Sequence, residues 1–106
     1  MIASLFKKIF NKLSGGSSDL NRELYVGNIE YRTTQQELRD LFSEFGDIES
    51  IKIIRDSRTK RSKGYGFIKF YKQLDATNAL NNMNFKPFRG RELRIAFAKD
   101  ANNNSD

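Results

Sequence analysis

The residues of this chain best suited to chemistry lie in one octamer, Lys63–Phe70, which reads Lys-Gly-Tyr-Gly-Phe-Ile-Lys-Phe. In a β-strand, successive side chains point to opposite faces. Tyr65 and Phe67 would then share one face with Lys63 and Lys69, while the other aromatic and aliphatic side chains face the core. Aromatic rings offer bases a surface for stacking, and cations offer partners for phosphates. The octamer therefore predicts a surface that binds a single-stranded nucleic acid.

The composition narrows the classes of function. The 106 residues include 19 Lys and Arg against 13 Asp and Glu, which gives a formal charge of +6. Such an excess favours a polyanion or an anionic membrane as partner. The chain has no Cys and no His, which removes disulfides, thiol catalysis, the commonest metal ligand and the usual acid–base side chain. We therefore expect a protein that is not an enzyme, has no cofactor or metal, and is located in the cytoplasm or another reducing intracellular compartment.

The pattern along residues 21–99 predicts one α+β domain. Thr33 or Thr34 can cap a first helix, and Glu37 completes a capping-box spacing with Thr34. Leu74 is expected on the apolar side of a second helix. Strands are expected at 24–27, 48–55, 63–70 and 92–98, and helices at about 34–45 and 74–83. This β-α-β-β-α-β order is that of a ferredoxin-like sandwich, a four-stranded antiparallel sheet with two helices on one face. The face that carries the octamer's two exposed rings is then open.

Two runs of the sequence resemble the signatures of a known family, the RNA recognition motif. The octamer fits the first signature at every position: Lys or Arg, Gly, aromatic, Gly or Ala, aromatic, aliphatic, any residue, aromatic. Leu24–Ile29, which reads Leu-Tyr-Val-Gly-Asn-Ile, fits the second. The resemblance covers roughly residues 22–99 and implies single-stranded RNA as the partner, with Tyr25, Tyr65 and Phe67 as the stacking platform. Single-stranded DNA is expected to bind the same rings less tightly.

Cations around the platform are expected to hold the phosphates. Such charge-assisted contacts position a nucleic acid backbone rather than read its sequence. The alternative for each cation is a solvated surface position without a partner. Seven residues share the expected role: Lys52, Lys63, Lys69 and Arg94 from the strands, and Arg58, Lys60 and Arg61 from the loop between the second and third strands.

The first 13 residues, MIASLFKKIFNKL, predict an amphipathic basic helix. The sequence leaves the role of this helix open. It could bind a membrane surface, target the protein to an organelle, bind a partner protein or a second copy of the chain, or dock on the domain itself. Docking across the open sheet face would make it a competitor for RNA. Residues 14–20 are expected to be a flexible linker and residues 100–106 a polar tail.

Two other classes of function compete with RNA binding. The domain could be a protein-interaction module, whose binding would depend little on salt. Acylphosphatases, which are enzymes, have a similar topology, but this sequence lacks a Gly-rich phosphate loop before a helix.

The two rings of the octamer have an alternative position as well. Tyr65 and Phe67 could instead be core residues of a sheet covered on both faces, although the pattern predicts no further element in residues 21–99 to cover them. We expect a monomer.

Overall fold

In the computed structural model, which describes residues 21–99, four strands pair into one antiparallel sheet. The elements in chain order are β1 (Glu23–Gly27), α1 (Gln35–Phe42), β2 (Ile48–Arg55), β3 (Ser62–Phe70), α2 (Gln73–Met83), β4 (Pro87–Phe88), β5 (Arg91–Glu92) and β6 (Arg94–Phe97). The order across the sheet is β2-β3-β1-β6. The two strands that carry the signature runs, β1 and β3, therefore lie side by side at its centre. The predicted ferredoxin-like α+β fold is confirmed.

Helix α1 begins with a capping box. The Thr34 hydroxyl accepts a hydrogen bond from the Glu37 amide at 3.1 Å, and the Glu37 carboxylate accepts one from the Thr34 amide at 2.9 Å. Two of the amides that a helix start leaves without partners are thereby satisfied. Of the two candidate caps, Thr34 is the one used. A single 3₁₀ turn, Ser43–Phe45, follows the helix, and Gly46 ends it with a φ of 153°.

Helix α2 shows that one expected core residue faces solvent. Its buried side is formed by Ala76 and Ala79, with Leu80 and Met83 packed against the core at the next helical intervals. Leu74 precedes Ala76 by two residues, which places it about 200° away around the helix. Its side chain is 63% exposed. The expectation that Leu74 belongs to the apolar side was therefore wrong.

The core lies between the two helices and one face of the sheet. Alternate residues of β1 and β3 supply it, which is the period of two that the octamer predicts. Burying a Val, Leu, Ile or Phe side chain contributes roughly 1.5–3 kcal/mol to the free energy of unfolding. The largest fully buried side chains are Leu24, Val26, Ile29, Leu38, Phe42, Ile68, Phe70 and Leu93. The other residues of β1 and β3 then face away from the helices.

The last predicted strand is divided in two. Residues 91–92 pair with Pro87–Phe88 in a small hairpin, and the main sheet resumes only at Arg94. Between them, Leu93 donates its amide to the Lys86 carbonyl at 2.9 Å, and its carbonyl accepts from the Phe85 amide at 2.8 Å. The hairpin therefore directly precedes β6, the edge strand of the main sheet.

The structure does not test the expectations for the two termini. The amphipathic helix at residues 1–13, the linker at 14–20 and the tail at 100–106 lie outside the described residues. Within residues 21–99, no helix is long and apolar enough to cross a membrane. The same stretch contains no group of three or more Asp, Glu, His or Cys side chains that could hold a metal ion.

Candidate nucleic-acid interface

Three aromatic rings form a contiguous cluster on the sheet face opposite the core. The ring centroids are 5.8 Å apart for Tyr25 and Tyr65, 5.9 Å for Tyr25 and Phe67, and 6.2 Å for Tyr65 and Phe67. These separations lie in the range at which aromatic pairs attract one another. The rings are mutually tilted, with interplanar angles of 37°, 64° and 84°. We call these three residues the platform.

Strand register explains why these rings meet. Tyr25 of β1 lies directly opposite Phe67 of β3 in their antiparallel ladder. Tyr65 precedes Phe67 by two residues and therefore lies on the same face. Gly66 between them faces the core side, where a Cβ would overlap the backbone carbonyl of Lys52. Glycine at this position lets β2 and β3 approach closely. The Gly-aromatic-Gly-aromatic spacing therefore serves packing on one face and ring exposure on the other.

The lysines predicted on the strands surround the platform. Lys52 is the cross-strand partner of Phe67 from β2, and Lys69 lies opposite Glu23 of β1. Lys63 is exposed at the start of β3. Lys69 has a carboxylate as its direct neighbour across the strands, whereas Lys52 faces a ring.

Arg94 shares this face by register but directs its charge elsewhere. It pairs with Gly27 of β1, as alternation predicts. Its guanidinium carbon, however, lies 4.8 Å from the centroid of the Phe85 ring, and its Nη2 is 3.8 Å from the Glu92 carboxylate. Because β6 is the edge strand, the side chain can fold outward onto the neighbouring loop. The structure thus brings Arg94 to the edge of the candidate interface rather than to its centre.

The loop between β2 and β3 is ordered by one carboxylate. Asp56 accepts hydrogen bonds from the Arg58 amide at 2.8 Å and the Thr59 amide at 2.9 Å. These backbone hydrogen bonds hold the pKa of Asp56 below its ordinary value. Lys60 adopts a φ of 66° and donates its amide to the Asp56 carbonyl. The resulting tight turn leaves the side chains of Arg58, Lys60 and Arg61 exposed, next to the Lys63 end of the platform.

A cleft at this same end of the sheet was not predicted from the sequence. Its volume is about 230 Å³. The Arg91 guanidinium carbon lies over the Tyr31 ring, 5.8 Å from its centroid. The cleft is lined by Tyr25, Asn28, Ile29, Tyr31, Lys63, Gly64, Tyr65 and Arg91. Nothing in the local sequence distinguishes Tyr31 and Arg91 from ordinary surface residues, although Asn28 and Gly64 belong to the two signature runs.

Asn28, the fifth residue of the second signature run, joins the cleft to the hairpin. It has a φ of 58°, which is the left-handed conformation that Asn tolerates in turns. Its amide nitrogen donates to the Glu92 carbonyl at 2.7 Å. Its amide oxygen accepts from the Arg91 Nε at 3.0 Å and Nη2 at 2.8 Å. Asn28 therefore turns the chain after β1, and its side chain also fixes the position of Arg91.

A second cation of the hairpin is fully engaged by carboxylates. The Arg89 Nε lies 3.2 Å from Glu30 and its Nη1 lies 2.9 Å from Glu37. Burial raises the pKa of Glu30, but hydrogen bonds from Arg32 and Arg89 outweigh this effect and lower the pKa overall. These pairs join the hairpin to the loop and helix that follow β1. They thereby connect the chain segments that carry Tyr31 and Arg91, the two sides of the cleft.

Comparison with known proteins gives one consistent family. The family model described as RNA recognition motif matches residues 24–94. The human (Homo sapiens) protein named cleavage stimulation factor subunit 2 tau variant is 39% identical over 85 residues, which is 80% of this chain and 14% of the human protein. The chain therefore spans about a seventh of that relative's length.

Solved structures with the same fold include two whose titles name an RNA complex or a bound RNA. The structure titled Rna15 RRM with bound RNA (GU) is 28% identical with a TM-score of 0.67, and the match covers 80% of this chain and 98% of that one. The structure titled Sxl-lethal protein/RNA complex is 32% identical with a TM-score of 0.72, covering 74% of this chain and 47% of that one.

Proposed function

The chain belongs to the RNA recognition motif family, and from this premise we propose that it binds single-stranded RNA on the platform without catalysing a reaction. The observation that carries the proposal is the cluster of Tyr25, Tyr65 and Phe67 on the face that the helices leave uncovered. Every base has a π-face, so such rings accept bases with little regard to sequence. The two RNA-containing structures of similar fold support RNA as the nucleic acid.

Stacking supplies a sufficient free energy for this role. Truncation experiments on other proteins assign roughly 1–3 kcal/mol to each stacked base. Two or three bases on the platform would give about 2–9 kcal/mol before the cost of ordering the strand is subtracted. Because the rings already contact one another, little further ordering of the protein is needed. The platform is therefore expected to dominate affinity.

The cations supply the part of binding that depends on salt. Lys52, Lys63 and Lys69 border the rings, and the β2–β3 loop presents three more exposed cations. For about three to five phosphate contacts to a single strand, log K should fall with log[salt] at a slope of roughly −2 to −3.5. A protein-interaction module would instead bind its partner with little dependence on salt. The slope thus separates the two classes of function.

The test is selection from a random RNA pool followed by affinity measurement on the selected RNA. We expect Tyr65→Ala combined with Phe67→Ala to lose most of the affinity while the circular dichroism spectrum stays that of the folded protein. Leu74→Ala is the matched control, because it truncates an exposed apolar side chain on α2, away from the platform. Wild-type affinity in the folded double variant would contradict the assignment of the platform.

The proposal also covers the choice between RNA and DNA, the oligomeric state and the cellular location. Single-stranded DNA of the same sequence should bind less tightly, since contacts to the 2′-hydroxyl distinguish RNA from DNA. We infer a monomer, whose mass in complex with RNA is measured by light scattering. We also infer an intracellular location, in keeping with a relative named as a cleavage stimulation factor subunit.

A further inference from the structure

We propose that two exposed apolar side chains, Tyr71 and Leu74, form the docking site for the apolar face of residues 1–13 of this same chain. We call these two residues the apolar pair and residues 1–13 the N-terminal segment, which lies outside the described residues. Docking there is independent of RNA binding, because the pair lies at the entrance to α2, on the side of the sheet away from the platform. Of the roles that the sequence leaves open for the segment, this is docking on the domain itself.

The apolar pair is solvated although its backbone is held in place. Tyr71 is 58% exposed and Leu74 is 63% exposed. The Tyr71 amide donates to the Asp47 carbonyl at 3.2 Å, and the Tyr71 carbonyl accepts from the Arg22 Nη1 at 3.5 Å. Leu74 lies in the first turn of α2, on the side that faces away from the core. Two large apolar side chains on a fixed backbone can accept an apolar partner with little ordering cost.

The chain enters the domain beside the apolar pair. The Arg22 carbonyl accepts a hydrogen bond from the Phe70 amide at 2.8 Å, and Tyr71 directly follows Phe70. Residues 14–20, a linker by composition, therefore join the N-terminal segment to a point next to the pair. These seven residues span at most about 25 Å when fully extended. Such a short tether gives the contact an effective concentration on the order of millimolar, so even a small apolar patch is occupied.

The N-terminal segment needs an apolar surface of this kind. In a helix its apolar side chains would lie on one face and its lysines on the other. Thirteen residues are too few for a stable isolated helix in water, so the segment requires a surface against which to fold. The apolar pair supplies that surface at the point where the linker ends. The residues of the apolar face are Ile2, Ala3, Leu5, Phe6, Ile9, Phe10 and Leu13.

The charges near the apolar pair suit a basic segment. Residues 1–13 contain three lysines and no Asp or Glu. Glu44 and Asp47 are exposed on either side of Gly46, and the Asp75 carboxylate lies against Gly46, where a built Cβ would overlap it. Lys72, at the start of α2, is the opposing cation. Three carboxylates against one cation leave a net negative charge beside the pair, which favours the lysines of the segment.

The test is paramagnetic broadening of amide resonances in the full chain. Because the chain contains no Cys, Ser4→Cys provides a single attachment point for a nitroxide on the polar side of the segment. Docking should broaden the amides of residues 44–47 and 71–75, and should leave those of the β2–β3 loop sharp. Combining Tyr71→Ala with Leu74→Ala should remove most of this broadening, because the loss of apolar contact lowers the ratio of docked to undocked chains by roughly tenfold or more.

Two matched controls separate the site from general effects of substitution. Tyr31 is also an exposed tyrosine but lies against Gly64, at the opposite end of β3, so Tyr31→Ala should leave the broadening unchanged. Asp47→Asn should lower the ratio of docked to undocked chains by about 1.5- to 5-fold, as expected for an exposed charge. Glu92→Gln makes the same change of charge on the hairpin and should have no effect.

Three results would overturn the docking site. The first is broadening that persists in the double variant, or no broadening in any residue of the domain. The second is broadening of Tyr25, Tyr65 and Phe67, which would place the segment across the open sheet face. The third is equal broadening when a spin-labelled chain is mixed with a separate nitrogen-15-labelled chain, which would make a second copy the occupant. Because no measurement uses RNA, failure of docking is distinguished from failure of RNA binding.

Discussion

Tyr25 and Gly27 lie two residues apart on the same face of β1, and the tip of the Tyr25 ring occupies the space that a β-carbon on Gly27 would take. The ring therefore lies along its own strand, over the glycine. Gly27 is also directly opposite Arg94 of the edge strand. The position of one platform ring thus depends on a neighbouring residue that has no side chain.

Gly27→Ala should therefore weaken RNA binding without unfolding the domain. The added methyl group displaces the far end of the Tyr25 side chain, which can rotate away at little cost in the free energy of unfolding. We expect about a tenfold loss of RNA affinity, corresponding to part of one stacking interaction. The affinity is measured by fluorescence anisotropy, and the free energy of unfolding by urea denaturation.

Gly66→Ala is the matched comparison with the opposite expected result. There the Cβ would meet the Lys52 carbonyl and lie 3.0 Å from the Ile53 Cα, both of which are backbone atoms. Forcing a methyl group into such packing typically costs about 1–3 kcal/mol. A Gly27→Ala protein that is as destabilised as Gly66→Ala, or that binds RNA as tightly as the wild type, would contradict the role given to Gly27.

The platform could be predicted from the sequence because its determinants are local. The period of two in β3 fixes which residues share a face, and the second signature adds Tyr25. The cleft could not be predicted in this way, since the hydrogen bond between Asn28 and Arg91 joins residues 63 positions apart. Arg94 shows the same limit, because alternation gives the face of a side chain but not the rotamer that places it over Phe85.

The cations of the β2–β3 loop should appear in the salt dependence of binding. Replacing Arg58, Lys60 and Arg61 together by Gln should make the slope of log K against log[salt] shallower by about 2, since each phosphate contact to a single strand contributes ~0.7. We expect the shallower slope because the variant loses contacts to phosphates, whereas base stacking on the platform is unchanged. Affinity is measured over a range from low to physiological salt. The affinities of the wild type and the triple variant should differ most at low salt.

A control with the same change of net charge separates contacts from overall attraction. Arg39 lies on α1, Lys72 immediately before α2, and Lys86 between α2 and β4, so none of them belongs to the β2–β3 loop or to the strands of the platform. Their replacement by Gln should leave the slope within about 0.5 of the wild-type value. Equal slopes for the two triple variants would show that the loop makes no specific phosphate contacts.

The order of the same loop should depend on pH through Asp56. The pKa of Asp56 in the folded protein is lowered from its ordinary value of 3.8 by hydrogen bonds from the Thr59 and Arg58 amides. A lowered pKa means that the charged carboxylate stabilises the loop fully above the ordinary value, and that this stabilisation is lost as the pH falls through the lowered pKa. The amide resonances of Arg58 and Thr59 should move with that titration.

Asp56→Asn supplies the control for this pH dependence, since its side chain does not titrate. In that variant the same two resonances should stay constant over the acidic range. Movement of the resonances only above pH 3.8, the ordinary value, would show that the two backbone hydrogen bonds do not favour the charged carboxylate.

Glu37 has two separable structural roles, which substitution can distinguish. One carboxylate oxygen accepts the Thr34 amide at 2.9 Å to complete the capping box, and the other lies 2.9 Å from the Arg89 Nη1. Thr34→Ala should lower the free energy of unfolding by about 1 kcal/mol through loss of the cap. Glu37→Gln keeps an oxygen for the cap but removes the charge opposite Arg89, so it should cost only about 0.2–1 kcal/mol as an exposed pair.

The two changes should also differ in their effect on the cleft. Arg89 joins the hairpin to the loop that carries Tyr31, so weakening its pair with Glu37 should loosen the Tyr31–Arg91 spacing, while loss of the Thr34 cap should not. Urea denaturation measures the stabilities, and the nuclear Overhauser effect between the Tyr31 ring and the Arg91 side chain measures their spacing in each variant. We expect Glu37→Gln to weaken this effect and Thr34→Ala to leave it unchanged. A loss of equal size in Thr34→Ala would mean that general stability, rather than the ion pair with Arg89, controls the spacing.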